Sequence, residues 1–339
     1  FGHAGEFALD HILNEINEQL GGYSHYEHGL DVVCWLEDAY RTPSGGNIPG
    51  LNLTYETMEC IIKHTFFRMG NNKLSQSNLI KNSKHRFIKE LDNNCHLEGQ
   101  AVRVADKVSY MISDIEDGIK MGAIKIEDLL ACSFFQRPPI DIKPSQNETL
   151  YERFISQRRS VLKVIMEDIL NSTDRRLSLL NNIEEVREQS EYTVDFSPEI
   201  KTEIIEVWNR LQKNILHKES KVVESNMRAA RIVSELFLLY VFTPEIIDKH
   251  FLRNHEMLRD EDYYRIYKER NDNNEKIGIS MRLISHFSLN RLIGKKLKHE
   301  GDNWKVDLYD IILAKDYVAS MTDSKALSEY RKHIGISID

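Results

Sequence analysis

The chain has 339 residues, 41% hydrophobic and 29% charged, the make-up of a globular protein with enough core for one large or two modest domains. A net charge of −8 argues against a general polyanion binder, no apolar run reaches the roughly 18 residues of a membrane span, and no signal-peptide pattern opens the chain. The cysteines Cys34, Cys60, Cys95 and Cys132 are widely spaced with no CxxC pair, which argues against zinc or a disulfide framework and for a reducing, cytosolic setting.

Helical periodicity runs almost throughout, so the expected class is mainly α. Leu9, Ile12, Leu13, Ile16 and Leu20 recur at helical spacing, with Gly21-Gly22 as the stop. His3, Glu6 and His11 fall near the start of this helix. His25 and His28 lie in or just before the next, expected from about Glu27 to Tyr40. These groups suit polar caps and suit acid–base work near neutral pH equally well. Thr42–Asn52, with two Pro and three Gly, reads as a loop, and Thr54 as the N-cap of a helix carrying Met58, Ile61 and Ile62. From Lys63 to Lys89 seven Lys or Arg occur without an acidic residue. This run reads as a solvated basic face or as a local phosphate-attracting surface, which single-stranded nucleic acid could also occupy. Further helices are expected over His96–Met121, Tyr151–Leu180, Lys201–His217, Lys221–Phe242, Lys276–Leu289 and Ile311–His333, with a loop at Arg137-Pro138-Pro139 and a break at Pro244. Tyr192–Asp195 and Trp304–Val306 are short strand candidates.

His96–Met121 is the most informative helix. Leu97, Ala101, Val104, Ala105, Val108, Met111, Ile112, Ile115 and Ile119 cover most of its circumference, which predicts a largely buried element. Yet Arg103, Asp106, Tyr110, Asp114 and Asp117 step along it as one polar stripe. A buried carboxylate must be paired or hold a metal. The stripe therefore reads either as a ligand-binding wall or as a solvent-facing row with an Arg103–Asp106 pair.

Five segments complete the pattern: Phe1-Gly2-His3-Ala4-Gly5-Glu6, Gly21-Gly22-Tyr23-Ser24-His25-Tyr26-Glu27-His28, Leu51-Asn52-Leu53-Thr54-Tyr55, Val102–Tyr110 continuing to Asp114–Asp117, and Asp316–Asp323. In this order they resemble the FGHxGE, GGFxHNxQ, LNLTY, VVRLADxIxYxxxDLEDA and DYIAGMTD landmarks of the deoxyguanosine triphosphate triphosphohydrolase (dGTPase)-like family of HD-domain phosphohydrolases. Tyr26 and His28 stand where that family usually has Asn and Gln. The chain has no initiator Met and starts at the Phe of the first landmark, so the gene product is expected to extend upstream.

The resemblance implies an HD-domain helical core over 1–135, its N-terminal part lying upstream, completed by additional C-terminal helices over 136–339 and assembled as a homo-hexamer. It implies a cytoplasmic, Mn²⁺- or Mg²⁺-dependent hydrolase of nucleotide metabolism, with dGTP the favoured dNTP and no membrane partner. Water would attack so that the bond between the 5′ oxygen and the α-phosphorus breaks, releasing the deoxynucleoside and inorganic triphosphate. The family's metal site takes a His, a His-Asp pair and a distant Asp. Asp106 matches the last, and the others would precede Phe1. By the same resemblance His3 is the catalytic histidine at the leaving oxygen, Glu6 orients it or acts with it, and His25 is a second candidate at the phosphates. Lys63, His64 and Lys84 would hold phosphates, Tyr110 would pack where a ribose 2′-hydroxyl would clash, and Asp114 would accept from the 3′-hydroxyl. The alternatives are another HD nucleotide phosphohydrolase, against which the LNLTY and DYVASMTD segments count, and a non-catalytic HD protein that binds nucleotides or single-stranded DNA.

Overall fold

A computed structural model describes residues 1–37, 40–41, 47–48, 50–64, 94–259, 262–285, 299–300 and 303–334. The class is mainly α, as expected. Helix α1 (Gly2–Ile16) buries Gly5, Leu9, Ile12 and Leu13, one face of a 3.6-residue period. A 3₁₀ turn over Glu18–Leu20 follows, and the chain reverses at Gly21 and Gly22, both at positive φ (84° and 66°). Helix α2 (His25–Asp31) passes into a π-helical turn at Val32–Leu36, where Glu37 N–H donates to the Val32 carbonyl (2.9 Å). The helix expected to reach Tyr40 thus ends earlier, because Tyr40–Arg41 (β1) pairs antiparallel with Asn47–Ile48 (β2). Thr54 caps α3 (Tyr55–Lys63) through its hydroxyl, which accepts from Thr57 N–H.

Helix α4 (Leu97–Lys120) keeps the expected bounds to within a residue, but its burial is one-sided. Val104, Val108, Met111, Ile112, Ile115 and Ile119 are buried, whereas Ala101, Val102 and Ala105 are exposed. The expectation of a helix buried most of the way round is corrected: alanine is small enough to leave in water at little cost. Then come α5 (Ile126–Leu130), α6 (Leu150–Leu177), α7 (Ile183–Glu188) and α8 (Pro198–Val207), the last continuing as a π-helical turn to Lys213. Between α7 and α8, Tyr192–Asp195 is not a strand. Its backbone pairs with side chains instead: Val194 N–H donates to Gln100, Arg103 donates to the Val194 carbonyl, and Arg176 to those of Thr193 and Asp195. With those groups satisfied the segment needs no ladder.

Helix α9 (Ser220–Phe242) is buried on every side from Ile232 onward. After α10 (Lys249–Glu256) and α11 (Asp262–Arg270), the stretch expected as a helix from Lys276 opens instead with strand β3 (Lys276–Ser280), followed by the helix Met281–Ser285 (α12); its remainder lies outside the described residues. Buried Ile277 and Ile279 alternate with exposed neighbours, the period of a half-buried strand. They face Val306 and Trp304 of β5 (Asn303–Asp307), the strand expected around Trp304, in an antiparallel sheet of order β3-β5-β4, where β4 is His299–Glu300. The helix expected over Ile311–His333 is two, α13 (Leu308–Ala319) and α14 (Asp323–Ile334). The Thr322 hydroxyl accepts from Lys325 N–H and starts the second.

The chain divides into two compact units. Among the described residues, those up to 53 and from 224 onward form the first, and those from 54 to 223 the second. The first is built on α1, α9 and α13, with Leu13, Leu236, Tyr240, Ile279 and Ile312 in its core. The second is built on α4, α6 and α8, with Val104, Ile115, Phe134, Phe154 and Val207 in its core. No described helix is long and apolar enough to cross a membrane.

Candidate active site

In the first unit the turn at Gly21-Gly22 sets the site. Asp10 of α1 accepts from Tyr23 N–H (2.8 Å) and from the Asn14 amide (3.1 Å). A Cβ on Gly22 would lie 2.1 Å from Asp10 Oδ1, so only glycine fits this approach. The turn delivers His25, the first residue of α2, to Glu6 on α1. His25 donates its backbone N–H to Glu6 Oε1 (2.9 Å), and its Nδ1 stands 2.9 Å from both carboxylate oxygens. The His3 ring lies edge-on to that of His25 at 6.2 Å, and the Tyr26 ring at 4.8 Å from it. Burial pushes the Glu6 carboxyl up, but the His25 hydrogen bonds and the charges of His25 and His3 outweigh it and hold it below its ordinary value. An ionised carboxylate against Nδ1 makes that nitrogen the donor and Nε2 the atom that exchanges a proton. His3, Glu6 and His25 therefore share one corner, with Glu6 clasping His25.

A charged layer supports α2. His28 Nδ1 is 3.5 Å from Asp316 on α13. Asp316 is fully buried, forms an ion pair with Lys315 Nζ (2.7 Å) and accepts from His255 Nε2 (2.9 Å) and Tyr263 Oη (2.7 Å). Lys315 Nζ also lies 2.9 Å from the Tyr267 hydroxyl and 3.9 Å from Asp31 of α2. Burial would raise the Asp316 carboxyl, but the Lys315 charge and the His255 hydrogen bond depress it far below the usual carboxylate range. The opening of the DYVASMTD segment is thus an ion cluster that ties α2 to α13. Lys315 carried no expected role; its only signal in the sequence was a charge pair with Asp316 set into the otherwise apolar stretch Ile311–Val318.

The remaining expected site residues belong to the second unit. Lys63 is fully buried and donates to Glu59 (2.6 Å), which also takes Arg187 at 2.9 and 3.1 Å. A phosphate drawn to Lys63 must compete with Glu59. His64 Nδ1 is hydrogen-bonded to the Ile61 carbonyl. Lys84 and the rest of the basic run beyond His64 lie outside the described residues.

On α4, Asp106, Tyr110 and Asp114 share one side, as their spacing predicts. The Arg103–Asp106 pair that the solvent-facing alternative called for is not formed. Arg103 is buried over the Tyr192 ring (3.7 Å) and beside Asp195 (3.5 Å), and Asp106, half exposed, pairs with Lys107 (3.5 Å). The Tyr110 ring is 6.2 Å from that of Trp208, and burial together with the Asp114 and Asp106 charges raises its phenol. Asp114 accepts from Gln212 Nε2 (2.7 Å). Burial pushes its carboxyl up to about 6 against the pull of Gln212 and His217. Gln212 and Trp208 carried no motif and were not legible as site residues. Trp208 also borders a cavity of about 170 Å³ lined by Lys107, Val108, Met111, Phe196 and Ile204.

Among the described residues, no group of three or more His, Cys, Asp or Glu side chains could hold a metal ion. Asp106, half exposed and 3.5 Å from Lys107, offers one carboxylate to a cation and would need further oxygen or nitrogen donors to hold it.

No family model matches the chain. Curated proteins do. It is 29% identical over 272 residues to a deoxyguanosinetriphosphate triphosphohydrolase-like protein of Bartonella henselae, covering 76% of this chain and 65% of that one. A protein of the same name from Brucella ovis is 30% identical over 252 residues (70% and 58%), and one from Thiobacillus denitrificans 28% over 248 residues (71% and 59%). The chain thus spans less than two thirds of the length of these relatives.

Proposed function

Taking the chain as one of the deoxyguanosinetriphosphate triphosphohydrolase-like proteins, the family these relatives support, we propose that it hydrolyses a deoxynucleoside triphosphate, dGTP foremost, to deoxynucleoside and inorganic triphosphate. The observation that carries the reading is the His3–Glu6–His25 corner. Expelling a 5′ alkoxide from the α-phosphorus requires a proton for the leaving oxygen, and the attacking water must lose one. His3 gives the first. His25, oriented by Glu6 through Nδ1, exchanges a proton at Nε2 beside the phosphates.

On α4, Tyr110 takes the face of the deoxyribose and Asp114 accepts from its 3′-hydroxyl. His64 and Lys84 serve the phosphates, and Lys63 joins them where a phosphate displaces Glu59. Dependence on Mn²⁺ or Mg²⁺, with Asp106 as one ligand, belongs to the same proposal, as do the HD core over 1–135, hexameric assembly and a cytoplasmic location.

The test is product identity. Incubated with dGTP and Mn²⁺ or Mg²⁺, the protein should release deoxyguanosine and triphosphate in equal amounts on ion-exchange chromatography. Pyrophosphate or orthophosphate as the primary product overturns the assignment.

A further inference from the structure

Two of the four cysteines, 35 residues apart in sequence, are brought together by the fold of the second unit. Cys60 is half-buried near the end of α3, one turn before Lys63, and Cys95 is fully buried just ahead of α4. Gly99, in the first turn of α4, lies against both. A Cβ placed there would fall 2.6 Å from Cys60 Sγ and 2.9 Å from Cys95 Sγ, so the sulfurs flank one point and are at most about 5.5 Å apart. The missing side chain of Gly99 is what leaves them room. Cys34 and Cys132 differ: burial pushes each thiol up to about 11, which makes them poor nucleophiles at neutral pH.

We propose that Cys60 and Cys95 form a redox site that closes to a disulfide when a peroxide oxidises it. The Cys60 thiolate attacks one peroxide oxygen, the O–O bond breaks, and Cys60 becomes a sulfenic acid as the first water leaves. The Cys95 sulfur then attacks the Cys60 sulfur, forming the S–S bond and expelling the sulfenic oxygen as a second water. The two thiols give up two electrons and two protons, and hydrogen peroxide accepts them as two waters. The surroundings assign these parts. The two sulfurs face each other across Gly99, and the neighbouring Cys95 thiol, with help from the Gly99 N–H, lowers the Cys60 thiol against burial. Cys95, fully buried where Cys60 is only half-buried, is the less accessible to peroxide, and its thiol is raised by Cys60 and by burial, so it resolves the sulfenic acid rather than forming it. The bond would join the end of α3 to the start of α4 and close the intervening chain, which contains Lys63, His64 and Lys84, into a covalent loop. A disulfide of this kind is transient and suits a reducing setting.

The experiment is thiol mapping of the reduced, full chain after exposure to stoichiometric hydrogen peroxide, with alkylation and digestion without reductant. The expected result is a Cys60–Cys95 linked peptide that thiol reductant reverses, with Cys60 lost about tenfold or more faster than Cys34 or Cys132. In C95S, dimedone should trap Cys60 as the sulfenic acid. The proposal is overturned if Cys60 and Cys95 both remain alkylatable after the peroxide treatment, or if Cys60 links to another partner. None of these readouts depends on nucleotide hydrolysis.

Discussion

Replacing Asp114 with Asn should make the protein more stable at neutral pH and not in acid. The amide keeps the shape of the side chain and an oxygen to accept from Gln212 Nε2, 2.7 Å away in the native protein. It removes only the ionisation. The native fold holds the Asp114 proton up to about pH 6, whereas an ordinary aspartate lets it go near 3.8. The folded state therefore binds that proton more tightly than the unfolded chain does. The resulting stability is complete below about pH 4 and is lost as pH climbs through 6. A shift of about two pKa units would be worth about 3 kcal/mol for a fully enclosed group. Asp114 is only half-buried, and screening by water reduces the expected gain in the Asn variant to about 1–1.5 kcal/mol. Urea unfolding followed by circular dichroism, stepped between about pH 4 and pH 7.5, measures it. The two proteins should match in acid and diverge as pH rises. A difference that stays flat, or an Asn variant that is weaker at neutral pH, would refute the claim that burial dominates this carboxyl.

Under the proposed function, Tyr110→Ala should raise GTP hydrolysis relative to dGTP by about tenfold or more, because the proposed sugar site would lose the ring that excludes a 2′-hydroxyl; competition assays with both nucleotides read the ratio, and an unchanged ratio in a folded variant assigns sugar selection elsewhere. Gly22→Ala must place a Cβ 2.1 Å from Asp10 Oδ1 at a φ of 66°. It should cost about 1–3 kcal/mol in denaturant unfolding, and a neutral result would mean that the turn relaxes freely. Lys315→Met leaves Asp316 as a buried carboxylate without its ammonium partner and should cost about 3–5 kcal/mol; a loss below about 1 kcal/mol would show that His255 and Tyr263 suffice.

What the sequence revealed was whatever depends on near neighbours. The stop at Gly21-Gly22, the Thr54 cap, the bounds of α4 and the shared side of Asp106, Tyr110 and Asp114 all follow from spacings of four residues or fewer. The strand at Lys276 escaped because Ile277 and Ile279 alternate over only a few residues, too short a run to outweigh the helical pattern around it. Ala101 and Ala105 count as apolar by composition yet cost little in water, so α4 looked more buried than it is. Partners distant in sequence were illegible. Glu6 meets His25 across 19 residues and Glu59 meets Arg187 across 128, and no local pattern encodes either. Lys63 shows the consequence: read among its basic neighbours it is a surface cation, whereas in the fold it is spoken for by a carboxylate.

The ion cluster beneath α2 also bears on the order in which the protein can mature. His28 and Asp31 come early in the chain, while Lys315 and Asp316 come about 285 positions later. A nascent chain leaving the ribosome amino end first has made its histidine corner long before it has made the charges that anchor it. Contacts of such separation close late. The segment that carries His25 must therefore wait, unanchored from α13, until Lys315 and Asp316 have been made, and a polypeptide released before Lys315 would keep every residue of that corner and lack its support.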